Sequence, residues 1–269
     1  MELHYSILDP TGNITALVET PVEITRQTET AAAIMRRHPE VEQVGFLRPA
    51  GSDNVPELRM AGGEFCGNAS MCAACLLALR GDWSGTIRLR VSGAAEPITV
   101  SLRQTEDGVF RAALQMPTAL QISEKHFCFE NVYAPLPLVC MEGISHLIIE
   151  ETSLLFGLLR DRPAAECAVK KICAELSADG LGLLFLEGEG AERRMTPLVY
   201  IPGSGTMFWE NSCASGSAAV GMYLAAKSGA NTDVSLHEPG GILRATSDAA
   251  TGLTFLQGSV RYVAGYTKL

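Results

Sequence analysis

The chain has 269 residues, of which 47% are hydrophobic and 19% are charged, and its formal net charge is −9. This length suits one large domain or two domains of about 130 residues, and the acidic balance argues against a nucleic-acid partner. The longest apolar run, Met71 to Leu79, is too short to span a membrane, and the N-terminus lacks the basic flank and apolar stretch of a signal peptide. We therefore expect a cytoplasmic protein with no membrane partner.

The predicted elements occur twice, in the same order along the chain. Each set has a β-branched strand, a helix, further strands and a second helix that is apolar on nearly all sides, which is typical of a buried helix. The strands lie in residues 12–20 and 143–152, and the helices in 29–38, 71–80, 164–177 and 218–227.

This repetition predicts an α+β fold of two pseudo-symmetric halves, each a curved, mostly antiparallel sheet or barrel wrapped around a central buried helix. The predicted N-terminal lobe comprises residues 1–117 plus 259–269 and carries Cys66. The predicted C-terminal lobe comprises residues 118–258 and carries Cys213.

The chain contains eight cysteines, but it is too long and too regular for a small secreted disulfide scaffold. We interpret Cys128, Cys140, Cys167 and Cys173 as small buried hydrophobic residues. Cys72 and Cys75 have the spacing of half a zinc site, yet a second Cys pair and a His pair at ligand spacing are both missing. The sequence therefore predicts no metal.

Two cysteines stand in closely similar contexts, 147 residues apart. Cys66 lies in the segment Gly-Gly-Glu-Phe-Cys-Gly-Asn-Ala-Ser, and Cys213 lies in Trp-Glu-Asn-Ser-Cys-Ala-Ser-Gly-Ser. Each follows an acidic residue by two or three positions and precedes small residues and an Ala-rich apolar helix. The alternative reading is that both are merely small residues at the starts of buried helices.

Cysteines at helix starts can remove and return a proton at the Cα atom of an amino acid. The positive end of the helix lowers the pKa of a thiol, and the amides of the first turn bind an anion such as the substrate carboxylate. Those amides would belong to Gly67, Asn68, Ala214 and Ser215. With one thiolate and one thiol, such a pair would invert Cα without a metal, pyridoxal phosphate or any other cofactor.

The two cysteine segments resemble the active-site signatures of the diaminopimelate epimerase family, which includes amino-acid racemases that use no pyridoxal phosphate. The resemblance covers the whole chain, including Thr11-Gly12-Asn13, residues 42–46, residues 115–117 and Pro239-Gly240-Gly241. Residues 9–13 and 209–213 are most similar to one branch, the histidine racemases of staphylopine-type metallophore biosynthesis.

The resemblance implies roles for particular residues. Its paired catalytic cysteines correspond to Cys66 and Cys213, and its substrate-contacting asparagine corresponds to Asn13. Further catalytic roles are implied for Glu210 and His146, although the local spacing around both differs from that of the family. A homodimer is plausible from the family, and the partner is a small amino-acid substrate.

For three of the predicted site residues, a purely structural role is the alternative to a functional one. Glu64 is interpreted as contacting the substrate or a thiol, but both Glu64 and Glu210 could instead be acids favoured by a helix start. His146, before an apolar strand, could equally be a structural histidine.

The sequence departs from diaminopimelate epimerases where they bind the distal carboxylate of their substrate. Their Glu-Arg-Gly segment is replaced by residues 202–209, which contain no arginine, and their Gly-Asn-Pro-His segment reads Gly-Ile-Ser-His at residues 143–146. A distal carboxylate without its arginine partner would bind poorly. Phe208 and Trp209 favour a flatter, more apolar pocket that would accept imidazole, unless they are core aromatics.

These observations predict a cofactor-independent racemase that converts L-histidine to D-histidine by a two-cysteine mechanism. Two alternatives remain. The chain could be a diaminopimelate epimerase or another amino-acid racemase or isomerase of the same fold, or it could be a non-catalytic protein that binds an amino acid or zinc.

Overall fold

A computed structural model describes residues 2–50, 54–81, 85–106 and 108–267. The chain divides into two compact units, which we call unit 1 (Met1–Met116 with Leu256–Leu269) and unit 2 (Pro117–Phe255). Each unit combines strands with helices, so the predicted α+β class is confirmed.

The described elements alternate between strands and helices along the whole chain. The helices are α1 (Ile24–Arg37), α2 (Gly67–Leu79), a 3₁₀ helix (Leu154–Arg160), α3 (Arg162–Leu176) and α4 (Ala214–Ser228). The strands are β1 (His4–Asp9), β2 (Thr15–Val18), β3 (Gln43–Arg48), β4 (Glu57–Met60), β5 (Thr86–Val91), β6 (Ile98–Glu106), β7 (Val109–Met116), β8 (Gln121–Phe129), β9 (Val132–Met141), β10 (Ile144–Glu150), β11 (Leu181–Glu187), β12 (Glu192–Ile201), β13 (Thr206–Trp209), β14 (Thr232–Glu238), β15 (Gly241–Ser247) and β16 (Thr254–Thr267).

Unit 1 is a closed barrel of eight strands. Its strands are hydrogen-bonded in the order β1-β2-β3-β4-β5-β6-β7-β16, and β16 also pairs with β1 to close the ring. Helix α2 packs against strands β2 to β7 and is buried from Gly67 to Leu76. Because its side chains are small or apolar all round, α2 can be surrounded by strands, as its sequence pattern predicts.

Strands β2 and β3 of unit 1 are covered on both faces. One face meets α2, and the other packs against α1, where Ala31 and Ile34 join Tyr5, Val44 and Phe46 in a second core. This explains why β2 is an unbroken buried run, whereas β5 alternates between buried and exposed residues.

Unit 2 is a curved sheet in the order β15-β14-β12-β11-β10-β9-β8, with β13 paired to β12. Helix α4 contacts β14 and β15 near one end of this order and β9 and β10 near the other, so the sheet bends around the helix. Helix α3 and the 3₁₀ helix pack with β9 to β12 in a core that includes Val169, Leu183 and Phe185.

The two units share one order of elements. In each, a helix joins two parallel strands (β2 to β3 through α1, and β10 to β11 through α3). The cysteine helix then joins a second parallel pair (β4 to β5 through α2, and β12 to β14 through α4). The predicted duplication is thus visible in the connectivity of the chain.

All four predicted helices are present, but α1 and both cysteine helices begin four or five residues earlier than the apolar pattern predicts. That pattern puts the starts of the two cysteine helices at Met71 and Ala218, whereas α2 begins at Gly67 and α4 at Ala214, directly after the two cysteines. Gly, Asn and Ser have low helix propensity, and tertiary packing overrides it in both first turns.

Two of the predicted buried cysteines are exposed, namely Cys128 and Cys167, and Cys140 is only half-buried. Each lies on an element with a solvent-facing side, which an apolar sequence context does not reveal. Cys72, Cys75 and Cys173 are buried. No helix in the described part of the chain is long and apolar enough to cross a membrane.

Candidate active site

Cys66 occupies the N-cap position of α2. Its backbone is extended, and its Sγ accepts a hydrogen bond of 3.3 Å from the backbone N–H of Ala69. The side chain is half-buried. The sulfur therefore lies at the positive end of a buried helix, where an anionic thiolate is favoured.

A chain of polar side chains continues from Cys66. The thiol of Cys66 donates to Oε1 of Gln43 at 3.0 Å, and Nε2 of Gln43 donates to Thr15 Oγ1 at 2.8 Å and to Asn13 Oδ1. Nδ2 of Asn13 in turn donates to Glu42 at 2.7 Å. The predicted substrate residue Asn13 is thus buried and bonded to Gln43 and Glu42, and its contact with substrate remains a prediction.

Sequence reasoning did not assign a role to Gln43 or Glu42. Both lie in the segment 42–46, which was recognised only as part of the family resemblance. A signal was available, because a glutamine is an unusual residue at the first position of an otherwise apolar strand.

The loop before Cys66 is supported by the turn after β5. Ser92 Oγ donates to the carbonyl of Glu64 at 2.8 Å and accepts from the N–H of Met60 at 2.9 Å. Gly93, at φ +71°, lies so close that an added Cβ would be 2.3 Å from the backbone nitrogen of Phe65. This position therefore requires glycine, both for its φ and for the close approach.

Glu64 folds back within its own loop. An added Cβ on Gly62 would lie 2.4 Å from Glu64 Oε2, which places the carboxyl against that glycine. Burial raises the pKa of Glu64, and its own backbone and the nearby Arg59 guanidinium oppose the rise. A contact of Glu64 with substrate remains a prediction.

Cys213 occupies the N-cap position of α4, the place that Cys66 has in unit 1, but it is buried. Its backbone N–H donates to Oε2 of Glu238 at 2.7 Å, and Oε1 of Glu238 accepts from the hydroxyl of Ser217 at 2.6 Å. Glu238 is the last residue of β14, and sequence reasoning missed it because a single acid before a turn usually faces solvent.

The predicted residue Glu210 lies beside Cys213. Burial raises the pKa of the Cys213 thiol well above its usual range, and the carboxylates of Glu210 and Glu238 and a hydrogen bond with Glu210 raise it further. The negative charge of a carboxylate favours the protonated form of a neighbouring thiol, and the carboxylate is also a group that can accept the thiol's proton. Unit 2 thus brings together one thiol and two carboxyl groups.

His146 reaches Cys213 only through Ser215. Nε2 of His146 lies 3.0 Å from Ser215 Oγ, which lies 3.6 Å from Cys213 Sγ. Burial lowers the pKa of His146 to about 3, so the imidazole is neutral at ordinary pH. Gly182 on the neighbouring strand makes room for the ring, because a Cβ there would lie 2.3 Å from His146 Nδ1.

A buried neutral histidine makes stability depend on pH. Below pH 6.5 the unfolded chain binds a proton at His146 that the folded chain, with a pKa of about 3, does not bind. The stabilising contribution is therefore complete above pH 6.5 and is lost as the pH falls. We expect the free energy of unfolding to fall by about 2 kcal/mol from pH 7 to pH 5 because of His146.

Urea unfolding of wild type and His146→Gln at both pH values measures this contribution, since the variant lacks the histidine. His126→Gln, at an exposed position of β8, is the matched control. Equal pH dependence in wild type and His146→Gln would contradict the expectation.

Gly67, Asn68, Ala214 and Ser215 are the first two residues of α2 and of α4. The N–H groups of a first helical turn have no partner within the helix, so they are suited to bind a carboxylate. That they bind the substrate remains a prediction. Among the described residues, no group of three or more His, Cys, Asp or Glu side chains could hold a metal ion.

Of the two readings of Trp209, the structure supports the core aromatic. Its ring stacks on Phe185 at a centroid distance of 5.9 Å, its Nε1–H donates to Glu166 at 3.0 Å, and the Arg162 guanidinium lies 4.8 Å from its centroid. The indole belongs to the core between α3 and the sheet. Strand alternation directs Phe208 to the opposite face of β13.

Comparison with known proteins decides the family. The model of the histidine racemase CntK N-terminal domain matches residues 2–266. The chain belongs to the histidine racemase family. It is therefore an amino-acid racemase, an isomerase.

Individual members of the family agree with this assignment, and a solved structure shares the fold. The chain is 32% identical to a histidine racemase of Fusobacterium nucleatum subsp. nucleatum over 82% of this chain and 80% of that one. It is 26% identical to a histidine racemase of Staphylococcus aureus over 97% and 96%. A predicted epimerase of Pseudomonas aeruginosa has the same fold, with a TM-score of 0.69 at 14% identity over 99% of both chains.

Proposed function

We propose that this racemase inverts Cα with Cys66 and Cys213 as its two acid–base groups. The supporting observation is that both cysteines are N-cap residues of buried helices and that each has polar side chains beside it. Gln43, Asn13 and Glu42 extend from Cys66, and Glu210 lies beside Cys213.

The proposed reaction balances with these two groups alone. A thiolate takes the Cα proton, and the electron pair is delocalised into the substrate carboxylate, which the amides of the helix starts stabilise. The other cysteine, as a thiol, then gives its proton to the opposite face of Cα. The product has inverted configuration, and the two cysteines have exchanged protonation states; the opposite enantiomer follows the same steps in reverse.

We propose histidine as the substrate. The support is the family and the histidine racemases named above, which are similar over at least four fifths of their length. Phe208, half-buried on the face of β13 opposite to Trp209, is an aromatic side chain available to an imidazole ring.

Incubation of the protein with single L-amino acids in D2O tests the substrate. We expect the Cα–H NMR signal of L-histidine to disappear and D-histidine to form, because each inversion introduces solvent deuterium. The reaction is expected to persist after dialysis against EDTA and treatment with a carbonyl reagent, since the proposed mechanism needs neither metal nor pyridoxal phosphate. Faster exchange of another amino acid, with histidine unchanged, would contradict the proposed substrate.

A further inference from the structure

Glu238 is a buried carboxyl group placed directly behind Cys213. Its two oxygens accept hydrogen bonds from the backbone N–H of Cys213, at 2.7 Å, and from the hydroxyl of Ser217, at 2.6 Å. A carboxyl group is costly to bury unless such donors satisfy it. Glu238 thereby connects the end of β14 to the first turn of α4.

The same part of the fold holds the segment that carries Glu210 and Cys213. The N–H of Gly240, in the turn after β14, donates to the carbonyl of Asn211 at 2.8 Å. From the other side, the N–H of Glu210 donates to the carbonyl of Pro197 in β12 at 3.0 Å. The segment between β13 and α4 is thus fixed through its backbone on both sides.

Three acids lie together at this point: Cys213, Glu210 and Glu238. Burial raises the pKa of both Cys213 and Glu238, and Glu210 raises it further in each case. The other titratable group is His146, which faces Cys213 through Ser215 and is neutral. Because like charges in one buried space repel, the acids lose their protons one after another, and the thiol, as the weakest acid, loses its proton last.

We propose that Glu238 is a positioning residue for Cys213, which it fixes at the start of α4 and keeps protonated in the resting enzyme. Cys213 then enters the reaction as a proton donor. The proposal rests on the proposed two-cysteine function, because only there does the protonation state of Cys213 matter to catalysis.

The experiment measures the pH at which Cys213 ionises. The ultraviolet absorbance of thiolates is titrated for wild type and for Glu238→Gln, each with and without the Cys213→Ser substitution. The difference within each pair isolates Cys213, since the other cysteines are common to both proteins. In wild type we expect a midpoint above the usual thiol pKa of about 8.5. In Glu238→Gln, which removes a neighbouring negative charge, we expect the midpoint to fall by about 1 pH unit.

Two further variants separate charge from other effects. Glu238→Asp keeps the charge, and we expect its midpoint to stay within a few tenths of a pH unit of the wild-type value. Glu192→Gln removes an exposed carboxylate paired with His237 and is expected to leave the midpoint unchanged. A folded Glu238→Gln protein with an unchanged or higher midpoint would overturn the proposal.

If Glu238→Gln does not fold, the wild-type titration still decides, because a midpoint at or below about 8.5 contradicts a thiol kept protonated by its neighbours. The proposed function fails by a different result, namely normal racemisation by the Cys213→Ser protein. Loss of racemisation in Cys213→Ser together with a low midpoint would refute the role of Glu238 alone.

Discussion

Cys66→Ser and Cys213→Ser are each expected to lose racemisation of histidine by at least about 10³-fold. A serine hydroxyl is a far weaker base and acid than a thiol, so the face of Cα that it serves no longer exchanges protons. The remaining cysteine can still remove a proton and return one to the same face. We therefore expect the two variants to exchange deuterium into opposite enantiomers. Exchange by Cys66→Ser is expected to be the slower of the two, because its remaining thiol, Cys213, starts protonated.

Chiral chromatography measures racemisation, and NMR in D2O measures exchange of L- and D-histidine separately. Cys167→Ser, at an exposed position of α3, is the matched control and is expected to keep full activity. Normal racemisation by either active-site variant would refute the two-cysteine mechanism. Exchange of the same enantiomer by both variants would show that the two cysteines do not serve opposite faces.

Gly93→Ala is expected to lower the free energy of unfolding by about 3 kcal/mol. Its new Cβ would lie 2.3 Å from the nitrogen of Phe65 and 2.8 Å from the carbonyl carbon of Glu64. Both are backbone atoms, so no side chain can rotate away, and the loop before Cys66 must move. Activity is expected to fall as well, because Phe65 directly precedes the cysteine.

Gly108→Ala is the matched control for this prediction. Gly108 has nearly the same backbone angle, φ +70° against +71°, but a Cβ there meets no described atom within 4 Å. Gly108→Ala is therefore expected to lower the free energy of unfolding by about 1 kcal/mol, which is the cost of a left-handed backbone without a clash. Urea unfolding compares the two variants, and equal losses would show that contact with Phe65 adds nothing.

Much of the fold follows from local patterns in the sequence. Helices α2 and α4 are apolar on every side, which predicts burial, and β5 alternates as a half-buried strand should. The repeated order of elements predicts the shared connectivity of the two units. The apolar pattern alone puts the starts of α2 and α4 at Met71 and Ala218, whereas the two cysteine motifs predict the earlier starts that the structure has.

The candidate site was predictable only in part. Cys66, Cys213 and Glu210 stand out because they lie in two similar short segments. Gln43 and Glu238 contact the two cysteines from 23 and 25 residues away in sequence. No local pattern links residues that far apart, since strand pairing and helix packing bring them together.

Trp209 is a different case, because the sequence left open whether its side chain lines the pocket or belongs to the core. Adjacent residues of a strand face opposite sides of the sheet, and the indole packs on Phe185 and Glu166 instead. Only the sheet's position relative to α3 decides which side is the core.

The sequence by itself determined the α+β fold, the repeated order of elements and the two cysteines at helix starts, because each depends on residues that are near one another in the chain. Only the tertiary structure decided the surroundings of each thiol. Cys66 is half-exposed and bonded to an amide side chain, whereas Cys213 is buried with two carboxyl groups. These differences arise from burial and from charges on distant strands, which set the pKa of a thiol and are fixed only when the chain has folded.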